Sequence, residues 1–147
     1  MEANIIIQDV IDTLNKNETI IYNILEIEEN KIISIITNFL DNRNDTIEIA
    51  LWIDNNTICL SDGGLIYDEF STFIDKESVF SNIHQMTIGM PITQQFELAE
   101  PYGVRTRQLV CRTTINNLNL DLLFFCQTII MHLTYIDAYN NFLRIIP

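Results

Sequence analysis

Hydrophobic and polar residues alternate most regularly across residues 46–53, which read Thr-Ile-Glu-Ile-Ala-Leu-Trp-Ile. A period of two predicts a strand with one buried face, here the face that carries the isoleucines and the leucine. Residues 54–56 (Asp-Asn-Asn) tolerate positive φ and therefore predict a tight turn. The chain would return through residues 57–60 as the second strand of a hairpin.

Periodicity elsewhere predicts further elements on both sides of this hairpin. The order α-β-β-β-β-α-(α)-β-β-α indicates one α+β domain over residues 1–147, an antiparallel meander sheet with flanking helices. The last helix is apolar on nearly every side, so we expect it to be deeply buried or to pack against a partner chain. We predict helices at residues 4–15, 65–73, 76–85 and from 119 or 121 to 145, and strands at 19–27, 31–37, 86–98 and 104–115.

The charge of the chain is distributed unevenly. Residues 1–80 contain 16 acidic and 4 basic residues, a net charge of −12, whereas residues 81–147 contain 4 of each, a net charge of zero. Affinity for phosphate comes from Lys and Arg, so this composition disfavours direct binding of nucleic acid. An acidic protein attracts basic partners. We therefore expect a protein partner with a basic surface.

The cysteines and the apolar segments indicate the cellular compartment. Three cysteines lie in apolar runs without C-x-x-C spacing, as expected for buried free thiols in a reducing cytosol. The N-terminus lacks the basic start of a signal peptide. The longest uncharged apolar stretch, residues 122–136, is shorter than the roughly 20 residues that span a bilayer. We expect a soluble cytoplasmic protein that does not enter the membrane, located in the host cytoplasm if a phage encodes it.

Acidic residues cluster in sequence between Asp41 and Asp62, where neighbouring strands could bring carboxylates together around a divalent cation. A metal-dependent nuclease commonly adds an acid-x-Lys pair, but Ala50 stands where that Lys would follow Glu48. The Asp62-Gly-Gly segment also has a local explanation, because Ser61 or Asp62 can cap the next helix and the glycines supply unusual φ values. We assign no catalytic residue, metal or cofactor. We retain one candidate site for a basic group: Asp41, Arg43, Asp45, Glu48 and Asp62.

The basic residues Arg105, Arg107 and Arg112 fall within one predicted strand. They form either a solvated face paired with the acidic half of the same or a neighbouring subunit, or an anion or interface site. The two histidines, His84 and His132, lack metal-ligand spacing. We expect His132 to be a satisfied core or interface residue.

The segment from Ile33 to Gly64 resembles a prophage-associated family, the domain of unknown function 1828. The likeness implies a phage-linked context and no known activity. It departs from the family at Asn38, where Pro is usual, and at Asn42, where Arg is usual and Arg43 follows one place later. The matching residues are Ile35, Thr37, Phe39, Leu40, Asp41 and Asp45, then Leu60, Ser61, Asp62 and Gly64.

Three functions follow as hypotheses, and we favour binding over catalysis. The first is a small acidic phage or prophage protein whose N-terminal half inhibits a host nucleic-acid enzyme or a defence system such as CRISPR. The second is a chaperone-like or scaffolding homodimer formed through the C-terminal helix, since the element order is similar to that of secretion-chaperone-like folds. The third is a metal- or ligand-dependent enzyme that uses Asp41, Asp45, Glu48 and Asp62.

Overall fold

The computed structural model describes residues 5–27, 32–70, 76–87, 94–99 and 106–145. The helices and strands follow the predicted order, which confirms the α+β class. The elements are α1 (Ile7–Asn15), β1 (Ile21–Ile27), β2 (Ile32–Leu40), β3 (Thr46–Asp54), β4 (Thr57–Ser61), α2 (Leu65–Phe70), α3 (Lys76–Thr87), β5 (Gln94–Ala99), β6 (Thr106–Thr113) and α4 (Leu118–Ile145).

The strands form one antiparallel six-stranded sheet in the order β1-β2-β3-β4-β6-β5. The first four strands are neighbours in chain order, as the predicted meander requires. The last hairpin then places β6 beside β4 and leaves β5 at the far edge. Strands β1 and β5 are therefore the two edges of the sheet that the described residues form.

Several element boundaries differ from the pattern-based prediction. Strand β2 continues to Leu40, three residues beyond the predicted end, because it still pairs with β3 there. Residues 86 and 87 belong to α3 and not to the following strand, since a short mixed run fits either period. The predicted helical residues 71–73 and the middle of the predicted strand, residues 88–93, lie outside the described residues.

The predicted hairpin between β3 and β4 is present. Asn55 and Asn56 have φ values of 48° and 64°, so both occupy the left-handed region that this turn needs. Ile47, Ile49 and Leu51 are buried on one face of β3, as the alternation predicts, whereas Ile53 is half-buried and Ala50 of the opposite face is also buried. The same side of the sheet carries the core, which packs against α1, α2 and α4. Its buried members include Val10, Leu14, Ile33, Ile35, Ile58, Leu60, Ile66, Leu109, Leu122, Phe125, Ile129 and Leu133.

Helix α4 contacts α1, α2, α3 and β6, which explains why apolar residues occur on so many of its sides. By length and composition alone, its segment 118–142 could cross a membrane. The central helix of a globular core has the same composition, and the buried residues of α4 do belong to the core between the sheet and the other helices.

Candidate functional site

Asp62 is buried at the end of β4, where its carboxylate holds three backbone amides. One oxygen, Oδ1, accepts the N–H of Gly64 at 3.1 Å and that of Leu109 at 3.0 Å, and Oδ2 accepts the N–H of Ile66 at 2.9 Å. The side chain therefore caps α2 and also ties that helix to β6, which confirms the predicted cap. Burial raises the pKa of Asp62 to about 6, against the lowering effect of these hydrogen bonds.

The glycines that follow Asp62 satisfy the geometry of this turn. Gly63 and Gly64 have backbone φ values of 68° and 91°, which residues with a Cβ rarely adopt. A Cβ on Gly64 would also lie 3.4 Å from the Thr106 hydroxyl oxygen. Asp62-Gly-Gly is thus a structural signature that fixes the start of a helix against a strand, and both carboxylate oxygens are already used by the fold.

Asp41 organises the loop between β2 and β3. Its Oδ1 accepts the N–H of Arg43 at 2.8 Å and of Asp45 at 3.0 Å, and its own N–H donates to the carbonyl of Asp45 at 2.8 Å. Asn44 takes a φ of 63° to close the loop. These bonds define the loop's conformation, because an Asp side chain can replace a missing backbone partner.

The same loop is attached to two helices. Arg43 Nη2 lies 3.0 Å from Glu69 Oε1 on α2, and Asn42 Nδ2 donates to Asp137 Oδ1 on α4 at 3.0 Å. The Arg43 side chain is 71% exposed, so this ion pair adds at most about 1 kcal/mol to stability. The loop is positioned by several weak contacts and leaves the Asp45 side chain exposed.

The candidate acids therefore do not share one environment. Asp62 is buried and occupied, Asp41 is half-buried in a loop, and Asp45 and Glu48 are exposed. Glu48 lies on the face of β3 opposite the core, as the alternation predicts. Across the residues that the structure describes, no group of three or more His, Cys, Asp or Glu side chains is arranged to hold a metal ion. The described residues thus form no ligand set of the kind that the metal-dependent form of the third hypothesis needs.

The predicted basic stretch forms two separate ion pairs, and Arg105 lies outside the described residues. Arg107 Nη1 contacts both carboxylate oxygens of Glu77 on α3, at 3.0 and 2.8 Å, and its guanidinium carbon lies 5.2 Å from the centre of the Tyr67 ring. Arg112 forms a two-point pair with Glu97 on the neighbouring strand, at 2.8 and 2.7 Å. Hydrogen bonds from Arg112 hold the pKa of Glu97 below its usual value. The pair of Arg107 with Glu77 is of the kind that the first sequence hypothesis expects, because Glu77 belongs to the acidic half, whereas Arg112 pairs with Glu97 of the neutral half.

A histidine pair that the sequence spacing did not reveal joins α3 to α4. His84 Nδ1 lies 3.2 Å from His132 Nε2, and His132 Nδ1 lies 2.8 Å from the carbonyl oxygen of Thr128. That carbonyl assigns the proton of His132 to Nδ1, so Nε2 accepts from His84. Phe96 packs edge-on against both rings. Burial lowers the pKa of His132 to about 4, so His132 is a neutral, satisfied core residue, as predicted.

A second feature that the sequence did not indicate is a groove of about 350 Å³ between α1 and β1. Isoleucines from both elements form its apolar part, and Glu18 and Glu26 lie along it. Tyr22 stands in the groove with 74% of its surface exposed. The groove contains acids, an aromatic ring and an edge strand, and none of the described residues that line it is basic.

The fold converts the charge asymmetry of the sequence into a spatial one. The acid-rich half of the chain builds α1, β1–β4 and α2 and begins α3, and its Glu69 and Glu77 pair with Arg43 and Arg107. The exposed acids without a described ion pair lie on α1, β1 and β3 and in the connections beside them, whereas Arg107 and Arg112 lie on β6. With strands about 4.8 Å apart, β6 lies about 19 Å from β1. The fold and its surface thus define an α+β sheet protein with an acidic edge.

Comparisons with known proteins extend this description no further. The chain matches no protein-family model, no curated protein and no solved structure. The likeness of residues 33–64 to the prophage-associated family therefore depends on the motif alone.

Proposed function

We propose that this protein is a binding protein, and that its acidic half covers a basic surface on a protein partner. The observation that carries the proposal is which charged side chains form ion pairs within the chain and which do not. Each arginine whose side chain the structure describes is already paired with an acid of the same chain: Arg43 with Glu69, Arg107 with Glu77 and Arg112 with Glu97. A larger set of exposed acids makes no ion pair with any residue that the structure describes: Asp9, Asp12, Glu18, Glu26, Asp45, Glu48 and Asp54.

Unpaired carboxylates on one side of the molecule produce a negative field there. Such a field steers a positively charged partner into contact and repels nucleic acid. Lys16 is the other basic side chain described, and it is exposed at the end of α1. One lysine does not offset seven carboxylates. The partner we propose therefore presents clustered Lys and Arg, as the nucleic-acid-binding surface of an enzyme does.

The biological setting we propose is phage or prophage interference with a host nucleic-acid enzyme. The sequence motif of residues 33–64 supports this setting, and the acidic surface supports the class of target. By occupying a basic channel, the protein would exclude the nucleic acid that the enzyme requires. This mechanism needs affinity and coverage and requires no catalytic residue from this chain.

The test is capture from a bacterial lysate treated with nuclease, with the tagged protein as bait and elution in a salt gradient. We expect a basic nucleic-acid enzyme to be retained at low salt and released as salt screens the contact. The matched control is a bait in which Glu18, Glu26, Glu48 and Asp54 are replaced by their amides, which should retain less of the same enzyme. Capture that is insensitive to salt, or equal capture by both baits, would contradict the proposal.

A homodimer is the second candidate, because the C-terminal part of α4 exposes apolar surface. Phe142 is 57% exposed and Tyr139 is 37% exposed on this helix. We propose that a second copy would cover these side chains if the protein acts as a scaffold. Light scattering over a range of concentrations tests this, with Phe142→Asp as the disrupting variant. A monomer at every concentration would eliminate the candidate.

A further inference from the structure

The groove between α1 and β1 runs along an edge strand of the sheet. β1 pairs with β2 on one side, and no described strand pairs with its other side. An edge strand presents unpaired N–H and C=O groups, and extended peptides bind proteins by adding a strand to such edges. Helix α1 contacts β1, so it forms a wall beside that edge.

Local geometry shows which part of β1 is available. The register with β2 shifts between Ile21 and Asn23, so Tyr22 bulges out of the ladder. Directly after it, the N–H of Ile24 donates to the side-chain Oδ1 of its neighbour Asn23 at 2.9 Å in an exposed position. A side chain that bonds the adjacent amide is a replaceable partner, because a peptide carbonyl can take its place. Natural edges are protected by charged residues, Pro or β-bulges. β1 contains no Lys or Pro, and its bulge at Tyr22 leaves residues 23–27 as the regular part of the edge.

The groove's chemistry indicates which peptide would fit. Ile11 and Ile24 supply apolar surface beside the strand, and Glu18 and Glu26 supply negative charge without a described ion pair. Tyr22 adds an exposed ring, whose face attracts Lys and Arg. Two independent features, the carboxylates and the aromatic face, thus favour a cation at the same place.

We infer that the α1–β1 groove binds an extended segment of a partner protein as an added strand on β1, and that the alternate residues of the segment that face the groove include both apolar residues and Lys or Arg. Because alternate side chains of a strand point to opposite faces, the apolar and basic side chains that enter the groove lie two residues apart along the segment. An apolar side chain would face Ile11 and Ile24, and a basic one would contact Glu18, Glu26 or the Tyr22 ring. This inference rests on the proposed function and identifies where the basic partner docks. The same charges oppose a second copy of this chain as occupant, because each copy would bring its own acidic edge.

The probe is a short fluorescein-labelled peptide of repeating Lys-Thr-Val-Thr, which presents lysine and valine on one face of a strand, measured by fluorescence anisotropy at low salt with the full chain. We expect saturable binding, which Glu18→Gln together with Glu26→Gln should weaken roughly tenfold, as expected for two exposed ion pairs. The matched control, Glu48→Gln with Asp54→Asn, removes the same charge from β3 and should change the Kd by less than about twofold. Circular dichroism verifies that each variant is folded.

Two further peptides distinguish strand addition from general attraction. A peptide with N-methylated valines lacks amide hydrogens that pair with β1, and it should bind much more weakly than its parent. A peptide with glutamate in place of lysine should not bind. If the methylated peptide binds as well as its parent, the added strand is refuted.

The outcomes separate this inference from the proposed function. Equal weakening by the two variant pairs would overturn the groove and leave the acidic surface as the binding determinant. Absence of peptide binding would overturn the groove, whereas salt-sensitive capture of a basic enzyme would still support the proposed function. A dimer in light scattering that Glu26→Lys abolishes would also overturn the inference, because a second copy would then occupy the edge.

Discussion

Asp62 provides the sharpest test of how this fold is held together. Replacement by Ala removes the acceptor for three buried amides, those of Gly64, Ile66 and Leu109. A buried donor left without a partner costs about 1 kcal/mol or more, so the three amides together predict a loss of about 3 kcal/mol. That is a large share of the roughly 5–15 kcal/mol that stabilises a domain.

The assay is urea unfolding followed by circular dichroism at about pH 7.5, where Asp62 is ionised because its pKa is about 6. Asp62→Asn retains one oxygen acceptor and should lose less, about 1–2 kcal/mol, which keeps the test informative if the Ala variant does not fold. The matched control is Glu48→Gln, an exposed carboxylate on β3, which should change stability by less than about 0.5 kcal/mol. A loss of stability below about 1 kcal/mol for Asp62→Ala would refute the role of the Asp62 carboxylate as acceptor for these three amides.

The pH dependence of the same variant tests the burial of the carboxylate. The pKa of Asp62 is raised from 3.8 to about 6, so the folded state takes up a proton before the unfolded chain does. Stability from this group is therefore gained as pH falls through 6, and is complete below 3.8. When the pH falls from 6 to about 5, the contribution of Asp62 to the free energy of unfolding rises by about 1.4 kcal/mol. The loss caused by Asp62→Ala should thus be about 1.4 kcal/mol larger at about pH 5 than at about pH 7.5. An equal loss at both pH values would refute the raised pKa.

Three other expectations follow from the described contacts. Burial lowers the pKa of His132 from 6.5 to about 4, so stability is lost as pH falls from 6.5 toward 4. The wild type should lose about 2 kcal/mol from this group between about pH 7.5 and pH 5, and urea unfolding of His132→Phe should show a smaller loss; an unchanged pH dependence would contradict the assignment. The Arg112–Glu97 pair is partly exposed, so a double-mutant cycle with Arg112→Met and Glu97→Gln should give a coupling below about 1 kcal/mol, and a value above about 2 would contradict this. Burial raises the pKa of the thiols of Cys59, Cys111 and Cys126, so Ellman's reagent should label them only after unfolding. Fast labelling of the native protein would contradict this, because it would show that a cysteine is accessible.

The sequence predicts the parts of the fold that local chemistry determines. The alternation of β3, the turn at Asn55 and Asn56, and the cap at Asp62 each depend on residues within a few positions of one another. Their physical causes are the pleat of a strand, tolerance of positive φ, and the free amides at a helix start. The structure confirms the turn and the cap, and it confirms the alternation of β3 except at Ala50, which is buried, and Ile53, which is half-buried.

The contacts that the sequence did not reveal all join distant segments. His84 and His132 are 48 positions apart, and neither has a neighbour at metal-ligand spacing. Their only local signal is that His132 lies within an apolar helix. Likewise, Asp62 contacts Leu109 across 47 positions because β6, and not β5, pairs with β4. Strand order depends on tertiary packing, and no local pattern encodes it.

Chain topology decides whether a charge bias along the sequence becomes a property of the surface. A bias confined to residues 1–80 would be dispersed if those residues alternated in the sheet with residues from the second half. Here the strand acids lie on β1 (Glu26) and on β3 (Glu48 and Asp54), which are two positions apart near one edge of the sheet, and β6 and β5 extend the other. The arginines of β6 then find acids nearby, Arg107 from α3 and Arg112 from β5, instead of neutralising the β1 edge. The acidic edge is therefore a product of the meander, and a partner that reads it would be sensitive to strand order as well as to net charge.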